Sequence, residues 1–291
     1  MKSAFIWLIS VAVSISCAKG STSLDTLDPQ AYRDEAALYP MVGQVSGSGF
    51  SGSGVLISDH WVLTAGHVAD FKTNGTFNIG GTNYTIQSYI THPNHGAFST
   101  TYDVGLLYLS ASVPGIEAAT MFRFASAESI LGREATWVGN GVTGTGLNDT
   151  RGPNELRAFT NMIDGVTPFA GLPGPSFYSD FDNPDATSNS LGSGSSPLPT
   201  LLEGNVTAGD SGGGVFVNVD GHRYLVGISS YTSGFVPGLN SKYGSLSGAA
   251  DLNFFHSWVF DNTGISSVPE PAVFWILTLG CLLGLGRRRG L

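Results

Sequence analysis

Glycine sets the first limit on this chain. It supplies 40 of the 291 residues and falls between short runs of Val, Ile, Tyr, Phe and Thr rather than inside long periodic stretches. Such runs suit strands and are too short for ordinary helices, so the pattern predicts an all-β barrel or sandwich. Gly54 to Ile57 and Trp61 to Ala65 flank Ser58-Asp59-His60. Val215 to Val219 and Tyr224 to Ser230 flank Asp220-Gly221, a tight-hairpin signal. There is no repeat of fixed period, and one short helix is expected near the end, over Asp251 to Phe260. With only 12% charged residues, the composition fits a loop-rich β domain better than a helical bundle.

Both ends read as addresses rather than fold. At the start, Lys2 precedes the apolar run Ala4 to Ile15, and Ser16 and Ala18 flank Cys17 like a cleavage site, which predicts a secretory signal peptide over residues 1–18. The alternative, an uncleaved anchor, is opposed by a run well short of the roughly 20 residues a spanning helix needs. At the other end Val268-Pro269-Glu270-Pro271 precedes the apolar stretch Ala272 to Gly286 and then Arg287, Arg288 and Arg289. This resembles a PEP-CTERM sorting tail, which implies an exported bacterial protein handed to a processing enzyme at the membrane. The arginines would stay cytoplasmic until the tail is cut. A permanent single-pass anchor is the competing reading.

Trimming the ends changes the chemistry left behind. Cys17 lies in the leader and Cys281 in the tail, so the mature domain holds no cysteine and no disulfide. Without Lys2 and the three tail arginines the 13 basic residues fall to 9, and without Glu270 the 22 acidic residues fall to 21, a net charge of −12. An acidic surface argues against nucleic acid as a partner. The Pro-, Gly- and Ser-rich segment Leu172 to Pro199 reads as long surface loops. Its Asp180, Asp182 and Asp185 could hold calcium, but they lack the later glycine and glutamate of a calcium loop, so no metal and no cofactor are expected.

The most specific segment is Gly209-Asp210-Ser211-Gly212-Gly213, just before an expected strand. A serine hydroxyl is a weak nucleophile unless a neighbouring base takes its proton. Flanking glycines let the N–H groups of Gly209 and Ser211 converge on a developing oxyanion. A glycine-rich serine turn is common by itself. Here Thr64-Ala65-Gly66-His67 closes one apolar run and Asp103-Val104-Gly105-Leu106-Leu107 opens another, giving the order His, Asp, Ser.

Gly52 to Val68, His92-Pro93-Asn94 leading to Asp103 to Leu107, and the Ser211 turn together resemble the trypsin and chymotrypsin family of serine proteases. Trp137-Val138-Gly139-Asn140-Gly141, Val226 to Tyr231 and Phe255 to Val259 extend the likeness from about Tyr39 to Val259. The resemblance implies two packed six-stranded β-barrels with a short C-terminal helix, over residues 39–130 and 131–265, after an N-terminal segment 19–38 and before the tail 268–291. It implies a secreted serine endopeptidase acting on protein or peptide substrates, with His67 as general base, Asp103 orienting it and Ser211 forming an acyl-enzyme. Gly209 and Ser211 would form the oxyanion hole. Ser230 would lie beside Asp103, and Ser230, Tyr231 and Thr232 would pair with substrate.

Several residues depart from the pattern. No activation site is visible, and Val42-Gly43 lies too close to His67 to serve, so the partner of Asp210 is open. Gly66 stands where the family has a second alanine, and Gly214 where it has proline. Counting from Ser211 puts Asn205 near the floor of the specificity pocket and Thr232 on its wall, which favours a small or medium apolar side chain unless Glu203 enters the pocket. A protease-fold binding protein without turnover and a latent zymogen are the alternatives.

Overall fold

The computed structural model describes residues 21–47, 49–70, 75–147, 152–168, 171–234 and 241–270. It begins with two elements inside the expected N-terminal segment, strand β1 (Thr22–Ser23) and helix α1 (Pro29–Ala36). Asp28 caps α1 by accepting the Gln30 N–H at 2.8 Å, and Pro29 opens it, where its missing N–H costs nothing.

Alternating inward residues then close a barrel from β2 (Val42–Gly47), β3 (Phe50–Leu56), β4 (Trp61–Thr64), β5 (Thr76–Ile79), β6 (Thr82–Thr91) and β7 (Gly105–Leu109), in the order β2-β3-β4-β7-β6-β5. The four-residue helix α2 (Gly66–Ala69) follows β4. Val45, Val55, Val62, Leu63, Phe77, Leu106 and Leu109 fill the interior.

The second half is antiparallel as well. After the short β8 (Phe122–Arg123) come β9 (Glu134–Val142), β10 (Gly144–Thr145), β11 (Asn154–Met162), β12 (Gly165–Val166), β13 (Ser176–Asp180), β14 (Gly204–Asn205), β15 (Gly214–Val219), β16 (His222–Gly234) and β17 (Ser245–Asp251). Seven of them form one sheet, β11-β9-β15-β16-β17-β13-β12, so the second lobe has one strand more than the six expected, because the short β12 adds to β13. Its core centres on Trp137, stacked on Phe159 at 5.9 Å and edge-on to Phe177 at 5.8 Å. Phe216, Leu225 and Ile228 from this lobe join the first barrel's core cluster, so the two lobes pack together through apolar side chains while each keeps a core of its own. β15 and β16 turn at Asp220-Gly221, as the sequence predicts.

Helix α3 (Leu252–Thr263) follows, capped by Asp251, which accepts the Asn253 N–H at 2.9 Å, and ended by Gly264 in the left-handed region. The helix runs three residues beyond the expected Phe260, to the first residue that readily takes a positive φ.

One sequence reading needs correction. Ser176–Asp180 is a fully buried strand paired with β17, not part of a surface loop; its serines and aspartate hide a Phe-Tyr pair that alternates between faces. Asp180 and Asp182 turn inward while Asp185 is exposed, so the three do not form a loop around an ion. Among the described residues no three His, Cys, Asp or Glu side chains converge as a metal would require.

The expected leader, residues 1–18, and the chain after Glu270 lie outside the described residues. Among the described residues no helix is long and apolar enough to cross a membrane. The first residues of the expected tail pack on the domain: β18 (Val268–Pro269) pairs with β8, and Glu270 accepts the Ala125 N–H at 2.9 Å.

Candidate active site

Strand register brings the first two candidate residues together. β4 pairs with β7 so that Thr64 lies opposite Gly105. The chain leaves β4 into α2, which carries His67, and enters β7 from Asp103, so both arrive at the same end of the barrel. The His67 backbone N–H donates to Asp103 Oδ1 at 2.8 Å, and His67 Nδ1 lies 2.8 Å from Asp103 Oδ2. That bond assigns the proton to Nδ1 and leaves Nε2 as the ring's free basic nitrogen. The Asp103 side chain is 1% exposed, and the Ser230 hydroxyl donates to its Oδ2. A buried carboxylate without such donors would be costly.

The serine turn is built differently. Asp210 N–H donates to Thr207 O at 3.1 Å and Gly213 N–H to Asp210 O at 2.8 Å, while Gly209 and Gly212 take φ values of 97° and 87°. At Gly212 a side chain is barred twice: its Cβ would sit 2.1 Å from both Ser53 O and Thr64 Oγ1. Among the described residues neither the Gly209 nor the Ser211 N–H donates to another protein group, so both remain open to an incoming acceptor.

Ser53, on β3 of the first barrel, clamps this turn. Its N–H donates to Ser211 O and its hydroxyl to Gly209 O, each at 2.7 Å, while it accepts the Asn140 N–H at 2.7 Å. Thr64 donates to Ser53 O at 2.7 Å, linking the serine turn to the strand that leads into His67. Sequence reasoning missed Ser53, because a buried serine between glycines has no signature of its own.

Asp210, next to Ser211, is 1% exposed. Its Oδ2 accepts the Ser21 hydroxyl at 2.9 Å and the Thr207 N–H at 3.0 Å, and its Oδ1 makes no hydrogen bond. Burial raises its pKa to about 6, an effect held back by the Thr207 N–H and the Ser21 hydroxyl. The partner left open by the sequence is thus a hydroxyl just before β1, which is held between β10 and β14. A two-residue strand gives no periodicity by which to find it.

Ser211 opens onto a cavity of about 140 Å³ lined by Val206, Thr207, Ala208, Ser229, Ser230, Tyr231 and Thr232. Asn205 is not in the lining. It lies fully buried behind Thr232, donating to Thr232 Oγ1 at 3.0 Å and to Val206 O at 3.1 Å, and accepts the Ser247 hydroxyl. Glu203 does not reach the cavity either. It is buried against Thr200 and the Asp182 N–H, and burial raises its pKa to about 8. The Tyr231 hydroxyl lies 3.1 Å from Ser176 Oγ, and burial raises its pKa to about 12.

A carboxylate-held imidazole and a glycine-framed serine turn with N–H groups open among the described residues are the parts from which serine hydrolases build their sites. Residues 30–163 match the model of the trypsin family, which supports a trypsin-like serine protease. No curated protein matches the chain.

Proposed function

We propose that the chain is an exported serine endopeptidase in which Ser211 attacks the peptide carbonyl. His67 takes and returns the proton, Asp103 holds the imidazole, and the Gly209 and Ser211 N–H groups stabilise the tetrahedral oxyanion. Water then hydrolyses the acyl-enzyme. The observation that carries this reading is the His67–Asp103 hydrogen bond at 2.8 Å, in a protein where Ser53 and Thr64 tie the Ser211 turn to the same strand end. The substrate chain would lie along Ser230 to Thr232, with its side chain in the uncharged cavity beside Ser211. The leader over residues 1–18 and the tail over 268–291 would deliver the protein across the inner membrane and hold it there until a processing enzyme acts.

The test is hydrolysis of a fluorogenic peptide library by protein lacking residues 1–18 and 271–291. Wild type is expected to cleave peptides with small or medium apolar residues before the scissile bond. Ser211→Ala is expected to fall by at least about 10⁴-fold. Equal turnover by the variant would refute the assignment.

A further inference from the structure

Beside the candidate triad stands a second buried histidine whose role the mechanism does not use. His95 sits in the loop between β6 and β7 that ends at Asp103, and its side chain is 1% exposed. Its Nε2 lies 3.0 Å from Asp70 Oδ2. Its Nδ1 lies 3.4 Å from the Thr101 carbonyl and 3.9 Å from Asp103 Oδ1. Asp70 immediately follows α2, the helix of His67, and its Oδ2 also accepts the Phe98 N–H at 2.7 Å. One imidazole therefore joins the helix that carries His67 to the segment that delivers Asp103.

Gly66 supplies the room. A Cβ at that position would lie 2.9 Å from the His95 ring, so the ring occupies the space a side chain on the first turn of α2 would fill. The departure from alanine noted in the sequence has this physical reason. The ends of the loop are fastened separately: His92 stacks on Tyr102 at 5.2 Å and meets Phe255 edge-on at 5.3 Å. What fixes the middle of the loop against α2 is the Asp70 carboxylate with His95 and the Phe98 N–H.

We propose that His95 is a positioning residue for the candidate base: by bridging Asp70 and the Thr101 carbonyl, two residues before Asp103, across the space left by Gly66, it sets the spacing of α2 and the 92–103 loop and so the His67–Asp103 hydrogen bond. The inference rests on the triad reading above. Misplacement of a reacting group by about 1 Å costs on the order of 10²-fold in rate, so a support of this kind should be visible in kinetics. Removing His95 without a replacement donor would also leave the Asp70 carboxylate buried and short of a partner, a destabilising change in itself. The test must therefore separate position from folding.

The experiment measures the rate of fluorophosphonate labelling for wild type, His95→Phe, His95→Gln and Gly66→Ala, with the melting temperature of each and the downfield proton resonance of His67 Nδ1–H. Labelling is expected to slow by about tenfold or more in His95→Phe and Gly66→Ala, with the His67 resonance shifted or broadened. In His95→Gln, which keeps a donor toward Asp70, both are expected to recover most of the way. Wild-type labelling by His95→Phe would overturn the proposal. So would a His95→Gln as slow as His95→Phe with the His67 resonance unchanged, which would mark a purely structural role. If His95→Phe does not fold, His95→Gln and Gly66→Ala decide the matter by the same two readouts. Ser211→Ala is labelled in parallel: persistent labelling there overturns the triad, whereas loss there with no effect at His95 overturns only this inference.

Discussion

The two halves of the candidate site are held in place by different means. His67 and Asp103 sit at one end of a single strand pair, and the Thr64–Gly105 register fixes their approach within the first barrel. The Ser211 turn belongs to the second lobe, but it is held by Ser53 from the first barrel and, through Asp210, by Ser21 just before β1. The first half depends on one ladder. The second depends on contacts between residues far apart in sequence, and an arrangement of that kind can be weakened from several remote points.

Substitutions at those points should slow the serine while leaving the histidine pair intact. The largest effect is expected from Ser53→Ala, which strips the donor from Gly209 O and the acceptor from Asn140 N–H, both in buried surroundings. An orphaned buried group costs about 1–3 kcal/mol, so labelling of Ser211 should fall by roughly 10- to 100-fold if that cost falls on the turn. The His67 Nδ1–H resonance should not move. A shifted resonance would show that the two halves are one unit and break the comparison.

Ser21→Ala should have a smaller effect, a few-fold in labelling rate. It removes one of the three donors on Asp210 Oδ2 and leaves the Thr207 N–H and hydroxyl in place. Loss of that donor should raise the Asp210 pKa above about 6, so the loss in rate should change with pH between roughly 5 and 8. A pH-independent loss would assign Ser21 a role in holding β1 rather than in satisfying Asp210.

The smallest effect on the site, though a measurable one on the fold, is expected from Glu203. Its folded-state pKa of about 8 lies above the ordinary 4.5, so the native state binds the extra proton between those values. Stability from this group is full below about 4.5 and is lost as pH rises through about 8. Asp182, raised to about 7, and Asp164, raised to about 8, act in the same direction. The melting temperature should therefore fall by several degrees between pH 6 and 8.5, and Glu203→Gln should flatten that decline with labelling at pH 6 nearly unchanged. A wild-type melting temperature independent of pH over this range would contradict the assignment.

This division also marks what was legible in the sequence. His67 and Asp103 each border an apolar run, so strand patterning was enough to place them at strand ends. The family match covers 30–163, the first lobe and the start of the second, and stops short of Ser211. The Ser211 turn announced itself through its glycines, whose positive φ values are a local requirement. Its supports did not. Ser53, Ser21 and Thr207 are small polar residues that matter only because folding brings them to one carboxylate or carbonyl, and no spacing along the chain encodes that. The buried strand Ser176–Asp180 was hidden for a related reason: its backbone pairs with β17 and its polar residues are buried, Asp180 accepting the Ser190 and Leu191 N–H groups, against the usual bias of serine and aspartate toward the surface.

The most direct test of the central claim is mass-spectrometric mapping of the fluorophosphonate adduct on protein without leader or tail. The expected result is a single adduct on Ser211 that disappears in His67→Ala. An adduct on another residue, or one on Ser211 that forms equally fast without His67, would contradict an imidazole-activated serine at this site.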